Sequence, residues 1–105
     1  MTLDFTKLDG LVPAVVQDHE SGEVLMVGFM NEEAWDITRR IGYVTFYSRT
    51  RNTLWTKGET SGNRLRVVRL LTDCDQDTVL ARVERQGDGK VCHLGTVSCF
   101  SEEIA

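Results

Sequence analysis

Residues 64–85 read Arg64-Leu65-Arg66-Val67-Val68-Arg69-Leu70-Leu71-Thr72-Asp73-Cys74-Asp75-Gln76-Asp77-Thr78-Val79-Leu80-Ala81-Arg82-Val83-Glu84-Arg85. Arg64 and Arg66 alternate with Leu65 and Val67 before 64–72 turns apolar, and 78–85 alternates again, the period-two pattern of strands. The acidic pentapeptide 73–77 separates these runs, so they read as a strand pair around a carboxylate cluster. Moving outward, residues 43–47 are β-branched and aromatic, and 54–57 is a short apolar run; both read as strands. Residues 11–17 and 23–29 form another pair, joined by the turn chemistry of Asp18-His19-Glu20-Ser21-Gly22. One helix lies between these groups, over about 31–41. Asn31 is its N-cap, Glu32 and Glu33 suit the dipole of its first turn, and Gly42 is its stop. Ala34, Ile37, Thr38 and Ile41 recur at helical spacing. One main helix and about six strands predict an α+β domain, mostly antiparallel.

The chain has 105 residues, which predicts a single compact domain over 1–105. Its composition, 41% hydrophobic and 27% charged, excludes disordered, collagen-like and coiled-coil classes. The longest nearly unbroken apolar stretch, 24–30, is far shorter than the roughly 20 residues a bilayer span needs. Residues 1–5 carry no basic n-region followed by an apolar run, so a cytoplasmic protein with no secretory signal and no membrane partner is expected. The net charge of −4 argues against bulk binding to nucleic acid. The charge is nevertheless uneven. Residues 40–70 hold Arg40, Arg49, Arg51, Lys57, Arg64, Arg66 and Arg69 against the single acid Glu59, and the aspartate cluster follows at once. Such a segment either solvates a strand surface or holds an anionic ligand beside a metal.

Cys74, Cys92 and Cys99 are an odd number of thiols, which favours reduced cysteines over a disulfide framework. Metal ligation, catalysis and inert packing remain open for them. If 73–77 is extended, Asp73, Asp75 and Asp77 share one side and Cys74 takes the other. Hard carboxylate oxygens suit magnesium or calcium, and a thiolate suits zinc, so one pentapeptide can serve two metals. An EF-hand loop is disfavoured, because the sixth residue from Asp73 is Thr78 and not glycine. Three thiolates with an open fourth position describe a catalytic zinc, and His93, next to Cys92, is either a fourth ligand or a general base. His19 reads as a satisfied loop histidine. No G-x-x-x-x-G-K-[ST] or G-x-G-x-x-G motif is present. Even so, Arg49, Arg51 and Lys57 can pair with phosphates, and the hydroxyl and glycine residues of 58–63 can present backbone N–H groups. Trp55 either stacks on a base or fills the core.

The ordered motifs 46–51 (Phe-Tyr-Ser-Arg-Thr-Arg), 54–63 (Leu-Trp-Thr-Lys-Gly-Glu-Thr-Ser-Gly-Asn), 73–77 (Asp-Cys-Asp-Gln-Asp) and Cys92-His93 through Ser98-Cys99-Phe100 resemble the phosphoribosyl-AMP cyclohydrolase family. The resemblance runs over 11–100, with Leu94 where threonine is common and Tyr47 where tryptophan is common. It implies the third step of histidine biosynthesis: a zinc-activated water opens the adenine ring of 1-(5-phosphoribosyl)-AMP between N1 and C6, giving ProFAR. It implies a homodimer with one zinc per subunit at the interface, ligated by Cys74 of one protomer and Cys92 and Cys99 of the other. One magnesium per subunit is implied on Asp73, Asp75 and Asp77, with His93 as the catalytic proton carrier. Substrate contacts are implied for Ser48, Arg49, Arg51, Trp55, Lys57, Glu59, Thr60, Ser61, Gly62 and Asn63. Many relatives carry a fused C-terminal pyrophosphohydrolase domain. Because this sequence ends at Ala105, that second activity is not expected here.

Two other classes compete. A small structural-zinc module that binds nucleic acid or a partner protein needs a closed four-ligand site. A cysteine-nucleophile enzyme needs one thiol activated by His93 and leaves the other two dispensable. Metal content per chain separates all three.

Overall fold

The computed structural model describes residues 2–105. Local chemistry sets the elements in chain order: β1 (Val12–Asp18), β2 (Val24–Met30), α1 (Glu32–Ile41), β3 (Thr45–Ser48), β4 (Thr53–Thr56), β5 (Leu65–Thr72) and β6 (Val79–Arg85). The expected helix and six strands are all present, with ends moved by one or two residues. The largest such move is in β3, which starts at Thr45 because Tyr43 makes only an isolated bridge to Arg66.

Helix α1 begins where Asn31 Oδ1 accepts the Ala34 N–H at 2.8 Å. It ends at Gly42, whose φ of 78° lies in the left-handed region and whose N–H bonds Thr38 O at 3.0 Å. The β1–β2 turn is closed by the Asp18 carboxylate, which accepts the N–H groups of Glu20 (2.8 Å) and Ser21 (3.0 Å). The same carboxylate reaches Arg85 Nε on β6 at 2.7 Å.

Four strands form one sheet in the order β2-β1-β6-β5, and β3-β4 is a separate hairpin. Three of the four strand pairs are antiparallel, but β1 and β6 run parallel, with Ala14 opposite Val79 and Asp18 opposite Val83. The sheet is therefore mixed. A parallel pair needs a long crossover, and here everything from β2 to β5 lies between its two strands. Because β1 and β6 are central, their alternating side chains Val12, Ala14, Val16, Val79, Ala81 and Val83 are buried and form the middle of one core. Leu25, Met30, Ala34 and Phe46 complete it. The hairpin is pinned to the helix by Thr38, whose buried Oγ1 accepts Thr45 N–H at 3.0 Å and donates to Thr45 O at 3.2 Å. It is pinned to β2 by Gly28, which lies directly under the Phe46 ring. No helix among the described residues is long and apolar enough to cross a membrane.

Candidate functional site

The acidic pentapeptide is a tight turn and not an extended segment, which corrects the alternating-face expectation for Asp73, Cys74, Asp75, Gln76 and Asp77. Gln76 sits at φ 64°, and the Asp73 carboxylate folds the chain back by accepting the N–H groups of Asp77 (3.0 Å) and Thr78 (3.2 Å). Curling nonetheless gathers the carboxylates: oxygens of Asp73, Asp75 and Asp77 lie within 4.8 Å of one another. Into this group Lys7 projects its ammonium, 3.2 Å from Asp75 Oδ2 and 3.2 Å from Asp77 Oδ2. Lys7 is brought there by a segment clipped to the turn through Asp4 N–H to Gln76 O at 2.7 Å. The electrostatics are those of a crowded anion. Lys7 pulls the Asp77 carboxyl down, yet burial and the neighbouring Asp73 and Asp75 push it net upward. Burial opposes the Asp73 charge as well, but the N–H donors of Asp77 and Thr78 hold that carboxyl below its ordinary range. Three clustered hard oxygens, two of them on the Lys7 ammonium, are a donor set that fits a hard cation.

The thiols divide into two places. Residues 91–99 fold into a knot in which Val91 N–H bonds Val97 O (3.2 Å), Cys92 N–H bonds Thr96 O (3.1 Å) and Gly95 N–H bonds Cys92 O (2.9 Å). The knot is tied to β2 by Cys99 N–H to Leu25 O at 2.8 Å and by Ser98 Oγ to Val24 O at 2.7 Å. It brings the thiols of Cys92 and Cys99 near enough that each shifts the other's titration. The Leu94 N–H, with the Thr96 hydroxyl, Cys99 and Lys57, holds the Cys92 thiol below its usual range against burial. Burial and the proximity of Cys92 push Cys99 up. His93 is exposed beside Cys92. Cys74 is exposed on the β5–β6 turn, while the knot lies along β2, the strand at the opposite edge of the sheet. Among the described residues Cys74 does not join Cys92 and Cys99 in one metal-ligating group, and the donor set of two neighbouring thiols suits zinc.

Trp55 fills the core, the second of the roles left open for it, and keeps an edge on the surface recesses. It is partly buried against the core and packs on Phe46 with ring centroids 5.0 Å apart, yet it also borders two recesses. One, of about 180 Å³, includes Ser48, Arg49 and Phe29; the other, of about 300 Å³, includes Arg51, Glu59, Thr60 and Ser61. Lys57 Nζ lies 5.8 Å over the Trp55 ring and acts electrostatically on both paired thiols, so it links the aromatic recess to the sulfur pair. The Arg49 guanidinium sits 3.9 Å over the Phe29 ring. Gly62 and Asn63 stand apart from these recesses. The Asn63 side chain instead clamps the loop after β6, accepting Asp88 N–H at 3.1 Å and donating to Lys90 O at 3.2 Å.

The basic stretch is partly spent on structure, since Arg66 pairs with Glu84 (3.1 Å) and Arg64 lies over Tyr43. His19 is less satisfied than expected: its Nε2 is buried without a hydrogen-bond partner, with Glu20 Oε1 at 3.5 Å. Sequence reasoning missed Lys7, Phe29 and Tyr47. Lys7 meets acids 68 and 70 residues away, so no local signal exists for it. Tyr47, whose hydroxyl donates to Asn52 Oδ1 at 3.2 Å, lies inside a quoted motif and was within reach of the reading.

Residues 26–101 match the family described as phosphoribosyl-AMP cyclohydrolase. The chain is similar to a phosphoribosyl-AMP cyclohydrolase of Solibacter usitatus, 61% identical over 104 residues that cover 99% of this chain and 82% of the relative. It is 54% identical over 102 residues to one of Desulforapulum autotrophicum, covering 97% and 81% of the two chains. It is also 56% identical over 103 residues to the histidine biosynthesis bifunctional protein HisIE of Bacteroides thetaiotaomicron, covering 98% of this chain but 50% of that one. The chain thus spans about half the length of the bifunctional relative.

Proposed function

The chain belongs to the phosphoribosyl-AMP cyclohydrolase family and is a hydrolase of histidine biosynthesis, and we propose that, in the cytoplasm, it opens the adenine ring of 1-(5-phosphoribosyl)-AMP between N1 and C6 to give ProFAR. The observation that carries the reading is Lys57, whose ammonium lies 5.8 Å from the Trp55 ring centroid and whose charge favours the thiolate forms of Cys92 and Cys99, which supports an aromatic recess for a flat base near a thiol pair suited to zinc. Trp55, backed by Phe46, offers an aromatic face to the purine. Arg49, Arg51 and Lys57 supply positive charge for the two phosphates, which explains a basic segment in an acidic protein. Glu59, Thr60 and Ser61 line the recess as hydrogen-bonding groups for the riboses.

Ribosylation at N1 leaves the ring electron-poor, so C6 is the electrophile. The oxygen of water ends as the carboxamide oxygen on C6, and the N1–C6 bond breaks. One proton ends on the exocyclic nitrogen and the other on N1. His93, exposed beside Cys92, carries that proton. Cys92 and Cys99 of one protomer, with Cys74 of its partner, would hold one zinc per subunit. When bound, zinc supplies the Lewis acidity that brings the pKa of a water toward neutrality. Asp73, Asp75 and Asp77 would hold one magnesium per subunit, in competition with the Lys7 ammonium for Asp75 and Asp77. A homodimer is part of the same reading, supported by the placement of Cys74 on the β5–β6 turn and of the other two thiols beside β2, the far strand of the sheet.

The test is the absorbance change of ring opening on phosphoribosyl-AMP by the zinc- and magnesium-loaded protein. Turnover that a chelator abolishes and added zinc restores is expected. A metal-loaded, folded protein without turnover would overturn the reading.

A further inference from the structure

The two outer strands of the sheet are unlike. The second half of β5 borders a groove of about 480 Å³ floored by Leu3, Trp35, Leu70 and Leu71 and rimmed by Arg39 and Arg69. Arg39 is paired with Asp36, but Arg69 has no ion pair among the described residues, and its cross-strand neighbour is another arginine, Arg82. At the opposite edge the chain leaves the β2-bound knot and runs out as Phe100-Ser101-Glu102-Glu103-Ile104, all exposed, with Phe100 at 64% and Ile104 at 99%. In an extended tail Phe100 and Ile104 fall on one face, about 14 Å apart, with the two glutamates between them in sequence. Apolar anchors with acidic charge on one edge are complementary to an apolar floor with basic charge on the other.

We propose that residues 100–104 of one protomer lie in the Leu3–Trp35–Leu70–Leu71 groove of a second copy of this chain, with Glu102 and Glu103 against Arg39 and Arg69. The inference rests on the shared-zinc dimer proposed above and gives that dimer its apolar seat. Hook and socket are three strand spacings apart, about 14 Å across the sheet, and the chain's own tail would have to cross a sheet face to reach its own groove. A two-fold pairing instead seats both tails at once, which closes the assembly. The reach is sufficient. Phe100 directly follows the thiol Cys99, which the shared site sets beside the other protomer's Cys74, and Arg69 to Thr72 lie at most five residues from Cys74. Either path spans up to about 17 Å.

The test uses the full zinc-loaded chain in a sedimentation-velocity dilution series. The double change Phe100→Ala with Ile104→Asp should raise the dimer dissociation constant by about tenfold or more. Arg69→Glu, at an exposed position where folding is not at stake, should weaken the dimer too. Glu102→Lys with Glu103→Lys in that background should recover most of the loss. In a mixture of light and nitrogen-15 chains, a photocrosslinking benzoylphenylalanine in place of Phe100 should join unlike chains at the groove. A wild-type dimer whose tail variants dimerise equally tightly would overturn the tail docking and leave the shared zinc standing. A monomeric wild type under zinc would overturn both, and crosslinks confined to single chains would overturn the second copy as occupant.

Discussion

Replacing Gly28 by alanine tests the packing on which the aromatic recess depends. A Cβ at this position would lie 2.5 Å from Phe46 Cδ1 and 2.6 Å from Cε1, where carbon atoms normally meet at about 3.5–4.0 Å. The ring must therefore retreat by roughly 1 Å. Its room is limited: Phe46 is 1% exposed, and the Trp55 ring is 5.0 Å from it, centroid to centroid. Overpacking of this kind costs about 1–3 kcal/mol. In a domain of this size that is a fall in Tm of about 5–20 °C. Urea unfolding gives the stability, and ring-opening assays give KM, which should rise because Gly28, Phe46 and Trp55 border the same recess. Phe46→Leu removes the obstructing ring, so the cost of Gly28→Ala should shrink by at least half in that background. A Gly28→Ala protein within about 0.5 kcal/mol of wild type, or an equal penalty in both backgrounds, would refute the reasoning.

Burial works against the charge of Asp18, but Arg85 and the N–H groups of Ser21 and Glu20 prevail and hold its carboxyl at about 2. The stability it contributes is complete above the unfolded value near 4 and is lost as pH falls through 2; Asp18→Asn should cost about 2 kcal/mol at pH 7 and flatten the acid limb of a stability–pH curve. Asp75→Asn should weaken magnesium binding by calorimetry while zinc content stays unchanged, because the Asp75 carboxylate accepts from Lys7 and takes no backbone N–H of the turn, as Asp73 does. Cys74→Ser, Cys92→Ser and Cys99→Ser should each lose about one zinc per chain with activity, read by elemental analysis. Co-refolding the Cys74→Ser and Cys92→Ser chains should restore up to about one-quarter of wild-type activity, since half the random dimers hold one complete site of two; a mixture at background despite verified heterodimers would place all ligands in one chain.

Periodicity, caps and turn residues act within a few positions, so α1 and six strands were legible in the sequence by itself. So were the sets of thiols, carboxylates and basic residues, and the motifs of the family. Lys7 among the aspartates, Phe29 under Arg49 and the parallel pairing of Ala14 with Val79 were not legible. Each joins positions whose meeting depends on how the apolar faces are buried together, and no local pattern encodes that. The pentapeptide 73–77 shows the division most clearly. Its alternating acids specified three carboxylates on one short stretch, but the backbone N–H groups of Asp77 and Thr78 had to find partners at the strand end, and the Asp73 carboxylate supplied one. Those two bonds curl the segment into the turn between β5 and β6 that carries Cys74, while the main-chain bond of Cys99 to Leu25 holds the other two thiols beside β2. Which thiols and carboxylates are present is written in the sequence; the order of strands, set by burying β1 against β6, decided that Cys74 lies on the β5–β6 turn and the other two thiols beside β2, across the sheet.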